Sequence, residues 1–306
     1  MTRPAVFVGN SPYLIELKNA IEKNPQIGLK IISHVQNINE VDIGKIKAKD
    51  LIIILDKKSD TPDDTILDLY KKGVEILDTA KAYEKYLFKI PVEYIDMSFI
   101  VEHVNIKKDM VYTLVTFLID KIFAISILVL SSPIMLVAIV ARLLEDGRPV
   151  FIKQKRVGLN GKVFNLYKMR SMIVLSPDGS AETTKAIWET GANDPRITRV
   201  GKVIRKLHID EISQMINIIK GDLSLIGPRP ERPEFVSSLE ETIPHYKLRH
   251  IIKPGFTGWA QIKYHYARTK EESKEKFEYD LYYMKNRNIF LDFGIIMRTV
   301  QIIFTH

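Results

Sequence analysis

A run of apolar residues without a single charge, at positions 122–141, constrains this chain more than any other feature. A straight helix of that length reaches across a hydrocarbon core of about 30 Å. Pro133 lies near the middle of the run and follows Ser131 and Ser132. Proline removes a backbone hydrogen bond and bends a helix. The sequence therefore predicts a protein that lies in or on a membrane, with a bend at mid-depth.

The cations that flank this run leave two topologies open. Lysine and arginine mark the cytoplasmic ends of membrane segments. Here they lie on both sides of the run, at Lys107, Lys108 and Lys121 before it and at Arg142, Arg148, Lys153, Lys155 and Arg156 after it. That symmetry favours a re-entrant helix, whereas a spanning helix with a proline kink accounts equally well for the length. The two topologies put the N-terminal domain on different sides of the membrane.

Residues 1–105 alternate between strand-like and helix-like segments, which predicts a small doubly wound, Rossmann-like α/β domain. The expected order is strand 5–9, helix 11–24, strand 28–35, strand 50–55, helix 63–73 and strand 74–77. Of the dinucleotide-binding glycines only Gly9 is present, and the second strand ends without the acidic residue that would hold a ribose. We therefore expect a regulatory or structural domain, not a cofactor site.

The rest of the chain is predicted to form a membrane segment, residues 106–148, and a mainly α-helical (α+β) domain, residues 149–306. The segments of that domain are expected to be a basic hairpin at 149–172 with a turn at 159–161, a mobile loop at 175–196, a Gly-rich turn at 253–259 and a charged helix at 270–286. The apolar tail at 288–304 includes Asp292, Arg298 and Gln301, which favours an amphipathic helix in the membrane interface.

An adjacent acid pair, Asp210 and Glu211, is the densest chemical signal. If residues 204–219 form one helix, its apolar stripe puts Asp210 on the opposite, polar side and Glu211 near the stripe edge. Arg205 precedes the pair and Arg229 follows it in a Pro-Arg-Pro turn. A surface salt-bridge cluster is the default interpretation. Carboxylates are also covalent nucleophiles and Mg²⁺ ligands, and arginines neutralise phosphate during phosphoryl transfer.

Composition narrows the classes of protein. The chain has no cysteine, which rules out disulfides and thiolate metal sites, and its net charge of +8 comes from the part after residue 109. Such a surplus suits nucleic acid, an anionic membrane lipid or a phosphorylated substrate. The chain carries no nucleic-acid-binding motif, and the N-terminus lacks the pattern of a signal peptide. A non-enzymatic membrane-associated scaffold is the alternative to an enzyme, and it would not need the acid pair.

Several spaced segments resemble the bacterial sugar transferase family, the monotopic polyprenyl-phosphate phosphoglycosyl transferases that start glycan assembly. They lie in order over residues 110–306, as Asp120 before the Ser-Pro kink, FIKQKRVGLNGKVFNLYKMRSM, DPRITRVGKVIRKLHIDEISQMINIIKGDLSLIGPRP, KPGFTGWAQI, and EKFEYDLYYMKN followed by LDFGIIMRT. The resemblance implies a re-entrant helix broken at Ser132-Pro133 and a catalytic domain on the cytoplasmic face of the bacterial inner membrane. The α/β domain resembles the extension of larger members.

The resemblance also implies a ping-pong reaction. Asp210 would attack the β-phosphate of a UDP-sugar and release UMP, and undecaprenyl phosphate would then accept the phosphosugar. Glu211 would assist as a base or by orienting metal and acceptor, and Mg²⁺, held at Asp210, would offset diphosphate charge. Arg205 and Arg229 match substrate-binding positions, with Lys168 and Arg170 as weaker assignments. The chain departs from the pattern at Ser213 and His208, and a homodimer is left open.

Overall fold

The computed structural model describes residues 2–40, 50–56, 61–103, 110–174, 194–264 and 269–305. Most of the predicted loop at 175–196 therefore lies outside the described residues. The chain divides into two compact units, Met1–Tyr94 and Ile95–His306. The membrane segment and the C-terminal domain that were expected separately both belong to the second unit.

The regular elements follow the order expected for an α/β unit and then a mainly helical one. The strands are Arg3–Val8 (β1), Leu29–Val35 (β2), Ile52–Leu55 (β3), Glu75–Asp78 (β4), Phe151–Val157 (β5), Val163–Met169 (β6), Ser224–Ile226 (β7) and Gly255–Thr257 (β8). The α-helices are Pro12–Lys23 (α1), Asp63–Lys71 (α2), Thr79–Ala82 (α3), Met97–His103 (α4), Met110–Asp146 (α5), Arg199–Lys206 (α6), Ile209–Ile212 (α7), Met215–Lys220 (α8), Pro233–Thr242 (α9), Trp259–Lys263 (α10), Lys270–Asn286 (α11) and Ile289–Thr305 (α12).

The first unit is a parallel sheet with the strand order β2-β1-β3-β4. Alternate residues of β1 point to opposite faces, and both faces are buried. Phe7 packs with Leu14 and Leu17 of α1 on one face, while Val6 packs with Leu69 of α2 on the other. A strand that is buried on both faces must be apolar at every position. The predicted α/β organisation and the order of its elements are confirmed.

The crevice beyond the carboxyl ends of β1 and β3 is filled from within the chain. Chain connections diverge there, which is where open parallel sheets bind ligands. Gly9 has a φ of +115°, and a Cβ at this residue would lie 2.4 Å from Asp56 Cβ. The backbone N–H of Ser11 donates to Asp56 Oδ2 at 3.0 Å. A carboxylate of the protein therefore takes the position next to the first turn that a phosphate needs.

Helix α5 is long and apolar enough to cross a membrane, and most of its apolar surface is exposed. It runs without interruption through Pro133, so the predicted helix-break-helix is replaced by one α-helix of 37 residues. Pro133 has no N–H for the carbonyl of Val129, and the Ser132 hydroxyl donates to that oxygen instead, at 2.7 Å. Replacement of the lost donor by a side chain explains how the helix continues through the proline.

Both halves of α5 pack on the second unit. Before Pro133, Ala124 packs with Leu166 of the hairpin and Met215 of α8. Beyond Pro133, Ala138 packs with Met169 and Ile204. Polar contacts of Asp120 and Arg142 hold both halves as well. The helix is therefore part of the core of this unit at two places and exposes apolar surface between them.

Asp120 holds the first half of α5 against β7. Its Oδ2 accepts from the Ser224 hydroxyl at 2.8 Å, and its Oδ1 accepts from the Leu225 N–H at 2.9 Å. The Lys121 ammonium donates to the carbonyl of Ile218 at the end of α8, at 2.8 Å. A cation at a helix C-terminus satisfies carbonyls that have no partner within the helix.

Arg142 holds the second half of α5. Its side chain is fully buried, and its two Nη atoms lie 2.6 Å from Glu145 Oε2 and 2.9 Å from Asp146 Oδ1. Nη1 also donates to the Thr198 hydroxyl at 2.7 Å, just before α6 begins. A buried guanidinium that is held by two acids and a hydroxyl fixes the end of α5 to the start of α6.

The predicted basic hairpin is confirmed as the antiparallel pair β5 and β6. Strands β7 and β8 form a second, parallel pair, and the loops beside them pack backbone against backbone. A Cβ on Gly255 would lie 2.0 Å from Gly227 N, and a Cβ on Gly258 would lie 2.1 Å from Gly227 O. Glycine is therefore required here because no side chain fits between the two segments.

The charged helix and the apolar tail form α11 and α12. A capping box between Thr269 and Glu272 starts α11. Asp292 of α12 is buried and accepts from the hydroxyls of Tyr112 at 2.8 Å and Tyr283 at 2.9 Å. The opposite side of α12 exposes Phe290, Phe293 and Met297. Apolar side chains therefore lie on the exposed as well as the buried side of α12, and its placement in the membrane interface stays a prediction.

We predict that Gly255→Ala lowers the stability of the folded chain by about 1–3 kcal/mol, because the new Cβ meets backbone that cannot rotate away. Gly294→Ala on α12 is the matched control, since a Cβ there has nothing within 4 Å. Alanine in a helix interior is expected to be neutral or to stabilise by about 0.5–1 kcal/mol. The thermal unfolding midpoints of the detergent-extracted variants measure both effects, and equal midpoints would contradict the close packing.

Candidate active site

The helix expected over residues 204–219 is broken into α6, α7 and α8. His208 has a φ of +53°, in the left-handed region that a non-glycine residue rarely adopts. The break rotates each short helix relative to the others, so one helical period cannot assign their faces. Leu207, which was expected on the apolar stripe, is 60% exposed, whereas Ile209 and Ile218 are buried. The predicted continuous stripe is wrong for this reason.

Asp210 lies on the inner side of the break and not on the exposed polar side that the periodicity predicted. Its residue is only 4% exposed. Its Oδ2 lies 2.9 Å from the Nζ of Lys168, which β6 contributes. A buried carboxylate is costly unless a cation or hydrogen-bond donors accompany it. Asp210 is therefore held in a charged contact between α7 and the hairpin.

Glu211 pairs with the other predicted cation of the site. Its Oε1 lies 3.2 Å from the Nη2 of Arg229, in the segment that follows β7. Burial on its own would raise the pKa of Glu211, but Arg229 and Lys168 outweigh it and lower that pKa to about 2. The same contact raises the pKa of Arg229. Glu211 is therefore ionised over the whole physiological range.

Together these contacts bring four predicted site residues into one cluster, which consists of Asp210, Glu211, Lys168 and Arg229. The four side chains come from three separate segments, namely α7, β6 and the chain after β7. Each carboxylate lies close to one cation, Asp210 at 2.9 Å from Lys168 and Glu211 at 3.2 Å from Arg229. Such a cluster can bind a phosphate with its cations and can present a carboxylate oxygen to the phosphorus.

Two other predicted residues are placed elsewhere. Arg170 is almost fully buried, and its Nη2 donates to Asp146 Oδ1 at 2.8 Å and to the carbonyl of Gly147 at 2.7 Å. These contacts favour a structural role at the end of α5 over phosphate binding. Arg205 is half-buried on α6 and lies near Asp194, whose pKa falls to about 2 mainly because of Arg196. Substrate binding by Arg205 and Arg170 stays a prediction.

Sequence reasoning did not identify Asn217, which joins the site's segments. Its side chain is fully buried and bonds to two backbone groups of β6, the N–H of Tyr167 at 3.0 Å and the carbonyl of Asn165 at 2.7 Å. Ser213, noted as a departure from the family pattern, donates to the Tyr167 carbonyl at 3.1 Å. An amide on the core side of a short helix is the signal that could have revealed this clamp.

The carboxylates of the site suit a metal ion that is coordinated jointly by the protein and a substrate better than a metal ion that the protein binds alone. Among the described residues, no group of three or more acids, histidines or cysteines is positioned to hold a metal ion. Mg²⁺ commonly takes one or two carboxylates and completes its shell with water and substrate phosphate oxygens. Asp210 beside Glu211 fits that pattern.

A family profile described as bacterial sugar transferase matches residues 111–306. The chain belongs to this family. The match includes α5, the hairpin of β5 and β6, the four-residue cluster and the last two helices, α11 and α12. It confirms the family that the spaced motifs resemble, and the α/β unit lies outside it.

Curated relatives in this family include named transferases. The UDP-N-acetylgalactosamine-undecaprenyl-phosphate N-acetylgalactosaminephosphotransferase of Aeromonas hydrophila is 44% identical over 186 residues, 61% of this chain and 43% of that protein. The UDP-glucose:undecaprenyl-phosphate glucose-1-phosphate transferase of Xanthomonas campestris pv. campestris is 36% identical over 197 residues, 64% of this chain and 40% of that protein. An uncharacterized sugar transferase of Haemophilus influenzae is 26% identical over 338 aligned positions, 98% of this chain and 69% of that protein.

The chain spans about two fifths of the length of the first two of these relatives. The similarity to them includes about three fifths of this bacterial sugar transferase chain. The Haemophilus influenzae relative is similar over almost the entire chain.

We predict that Glu211 makes the stability of this family member dependent on acid pH. Its folded pKa, about 2, lies below the ordinary 4.5, so its stabilising contribution is complete above pH 4.5 and is lost as the pH falls toward 2. The difference in thermal midpoint between wild type and Glu211→Gln should therefore be largest at pH 5–7 and shrink below about pH 4.5.

Glu240→Gln is the control for this measurement, because Glu240 pairs with Lys247, whose side chain is 80% exposed. Exposed pairs contribute little to stability. The control should show a smaller difference from wild type at pH 5–7. A wild-type to Glu211→Gln difference that stays constant from pH 7 to pH 3 would contradict the assigned ion pair.

Proposed function

We propose that this chain transfers a sugar-1-phosphate from a UDP-sugar to undecaprenyl phosphate and releases UMP. The relatives in Aeromonas hydrophila and Xanthomonas campestris are named for transfers of this kind. The observation that carries the proposal is the contact of a buried acid, Asp210, and a half-buried acid, Glu211, with two cations from separate segments. A scaffold protein has no need for an ion pair at a buried carboxylate, which is costly to assemble.

In the first half-reaction, an Oδ atom of Asp210 attacks the β-phosphorus of the UDP-sugar. A bond forms between carboxylate oxygen and phosphorus, and the bond from that phosphorus to the bridging oxygen breaks. UMP leaves with the bridging oxygen, and an aspartyl phosphosugar remains on the chain. Lys168 contacts the Asp210 carboxylate at 2.9 Å and would move to the diphosphate oxygens as the substrate enters. This exchange frees the nucleophile.

In the second half-reaction, a phosphate oxygen of undecaprenyl phosphate attacks the same phosphorus, and the Asp210 carboxylate leaves. Dividing one transfer into two displacements is the advantage of covalent catalysis. Glu211 was expected to act either as a base or by orienting groups. A carboxylate whose pKa is about 2 is a weak base, and a phosphate monoester is largely ionised at neutral pH already. The orienting role, through Arg229, is therefore the one we assign.

Mg²⁺ would bind at Asp210 together with substrate phosphate oxygens and would offset the charge of the diphosphate. The carboxylate donors of the acid pair suit this hard cation. Arg229 and Lys168 bring two further positive charges to the same place. These side chains orient the diphosphate and stabilise negative charge on the departing UMP.

We assign α5 to a re-entrant segment that enters and leaves the membrane on one side. Asp120 holds its first half and Arg142 its second half, and both bind to the same compact unit. A unit of this kind cannot lie on both sides of a bilayer. An uninterrupted helix can follow this path only if it bends inside the membrane, and we propose that the bend lies at Pro133, which has no N–H for the carbonyl of Val129.

The exposed apolar side of α12 is proposed to lie in the interface beside α5, among anionic lipids. Flanking cations on both sides of α5 support the cytoplasmic face. For the first unit we propose a Rossmann-like domain that has lost its nucleotide site. Asp56 supports this because its carboxylate occupies the crevice at Gly9 and would repel a phosphate.

We predict that Asp210→Asn lowers UMP release by about 10³-fold or more, since the neutral amide is not a nucleophile for phosphorus. The assay combines the purified chain with Mg²⁺, undecaprenyl phosphate and a panel of UDP-sugars. Without acceptor, intact mass spectrometry should find wild type heavier by one phosphosugar and the variant unmodified. Asp222→Asn in the turn after α8 is the matched control and should keep wild-type activity. Full activity of Asp210→Asn would exclude this nucleophile.

We predict that both ends of the membrane segment face the same side. The chain has no cysteine, so Val101→Cys before α5 and Lys162→Cys in the hairpin turn give single labelling sites. Both positions are exposed. In intact spheroplasts an impermeant maleimide should label neither position, and in inverted membrane vesicles it should label both. Labelling of one position from each side would show that α5 spans the membrane.

A further inference from the structure

The segment that carries Arg229 is bound along its backbone over four successive residues. The carbonyl of Pro228 accepts from the N–H of Gly255 at 2.9 Å, and the carbonyl of Glu231 accepts from the N–H of Val157 at 2.9 Å. The two carbonyls between them, of Arg229 and Pro230, have side-chain donors instead. Prolines at positions 228 and 230 supply no N–H of their own. The position of this segment therefore depends on what its carbonyls bind.

Arg249 binds the first of these two carbonyls. Its Nη2 donates to the Arg229 carbonyl at 3.0 Å and to Asp280 Oδ2 at 3.1 Å, and both side chains of the ion pair are 3% exposed. The Nη1 atom donates to the Tyr246 hydroxyl. A planar fork with several donors can serve three acceptors at once, which a lysine cannot do in the same geometry. Asp280 and Tyr246 thus fix the guanidinium that holds Arg229.

Arg156, on strand β5 of the hairpin, binds the second carbonyl. Its Nη1 donates to the Pro230 carbonyl at 3.1 Å and lies 4.0 Å from the carboxylate of Glu231. Lys276 of α11 lies 3.2 Å from the same carboxylate. Glu231 is therefore a half-buried acid between two cations. Desolvation raises its pKa, but Lys276, Arg249 and Arg156 together outweigh that effect and lower the pKa of Glu231 to about 2. Hairpin and α11 are both joined to the segment in this way.

We infer that Arg249 and Arg156 are positioning residues that hold the Arg229 side chain at the distance from Glu211 and the donor diphosphate that the transfer requires. They act through the backbone of residues 229 and 230 and do not touch the substrate. The inference rests on the proposed function in so far as Arg229 binds phosphate. Neither residue was among the predicted site residues.

The consequence for the reaction follows from geometry. Substrate-binding groups act by holding the reacting atoms in line, and a displacement of about 1 Å can cost about 10²-fold in rate. Arg249→Lys keeps a positive charge beside Asp280 and removes the guanidinium that donates to the Arg229 carbonyl. We expect Arg249→Lys to lower the rate of UMP release by about 10- to 100-fold.

A double-mutant cycle separates positioning from general damage. If Arg249 acts only through Arg229, then Arg249→Lys should have little further effect once Arg229→Ala has removed the side chain that it positions. UMP release is measured for wild type, both single variants and the double variant at equal protein concentration. A double variant whose loss is the product of the two single losses would overturn the inference. Lys247→Gln, an exposed residue of the same turn, should behave like wild type.

Hydrogen exchange of the full-length chain in detergent gives a readout that needs no activity. Arg249→Lys should speed exchange at the amides of Gly255 and Val157, which donate to the carbonyls of this segment, while the sheet of the first unit exchanges at the wild-type rate. Unchanged exchange at these amides would also overturn the inference. If Arg249→Lys fails to fold, the less buried Arg156→Lys tests the same prediction with the same two readouts.

The two proposals fail in different ways. If wild type releases no UMP from any UDP-sugar, the proposed function fails, and the exchange experiment still decides whether Arg249 and Arg156 hold the segment. If wild type is active but the loss of UMP release in the double variant is the product of the two single losses, the proposed function is supported and the positioning role is wrong.

Discussion

The pairing of two adjacent carboxylates, one buried and one half-buried, with two cations is the interaction on which the second unit depends. Asp210 cannot be buried without a partner, since an unpaired charge in a protein interior costs several kcal/mol. Their partners, Lys168 and Arg229, lie about 40 residues before them and about 20 after them in the chain. The hairpin and the segment after β7 must therefore fold against α7 before the acids can be accommodated. Asn217 and Arg249 secure these two segments, the first to α8 and the second to α11.

Helix α5 serves the same arrangement from the membrane side. A helix with so much exposed apolar surface would normally contribute little to a folded unit outside the bilayer. Here Ala124 and Ala138 are small enough to let α5 approach the unit closely at two places. Asp120 then reaches β7, and Asp146, at the other end, reaches Arg170 next to β6. Insertion of α5 into a membrane and formation of the acid cluster are therefore linked through the strands that both of them contact.

The sequence predicted elements well and contacts less well. Apolar alternation located the strands of the first unit and the basic hairpin, because burial on one or both faces controls residue choice there. Between residues 204 and 219 the helical periodicity assigned Asp210 to the wrong face. His208 in a left-handed conformation interrupts the helix there, so Asp210 points inward. A residue's φ cannot be read from a single histidine. Arg170 shows why contacts are harder to predict than elements. A basic residue next to a strand has the same sequence signature whether it binds a phosphate or an acid of the protein such as Asp146.

If the proposed transfer takes place at this cluster, its ion pairs also explain how one site can be stable before a substrate binds and reactive afterwards. In the structure each acid has one cation, so the cluster is close to neutral and each charge is compensated. A diphosphate that enters brings its own negative charge and competes for Lys168 and Arg229. The backbone of Arg229 is held by Arg249, which limits how far its guanidinium can move, whereas the Lys168 ammonium lies on a flexible four-carbon stem. The more mobile cation is the one that covers Asp210, so substrate binding would release the nucleophile while Glu211 keeps its partner.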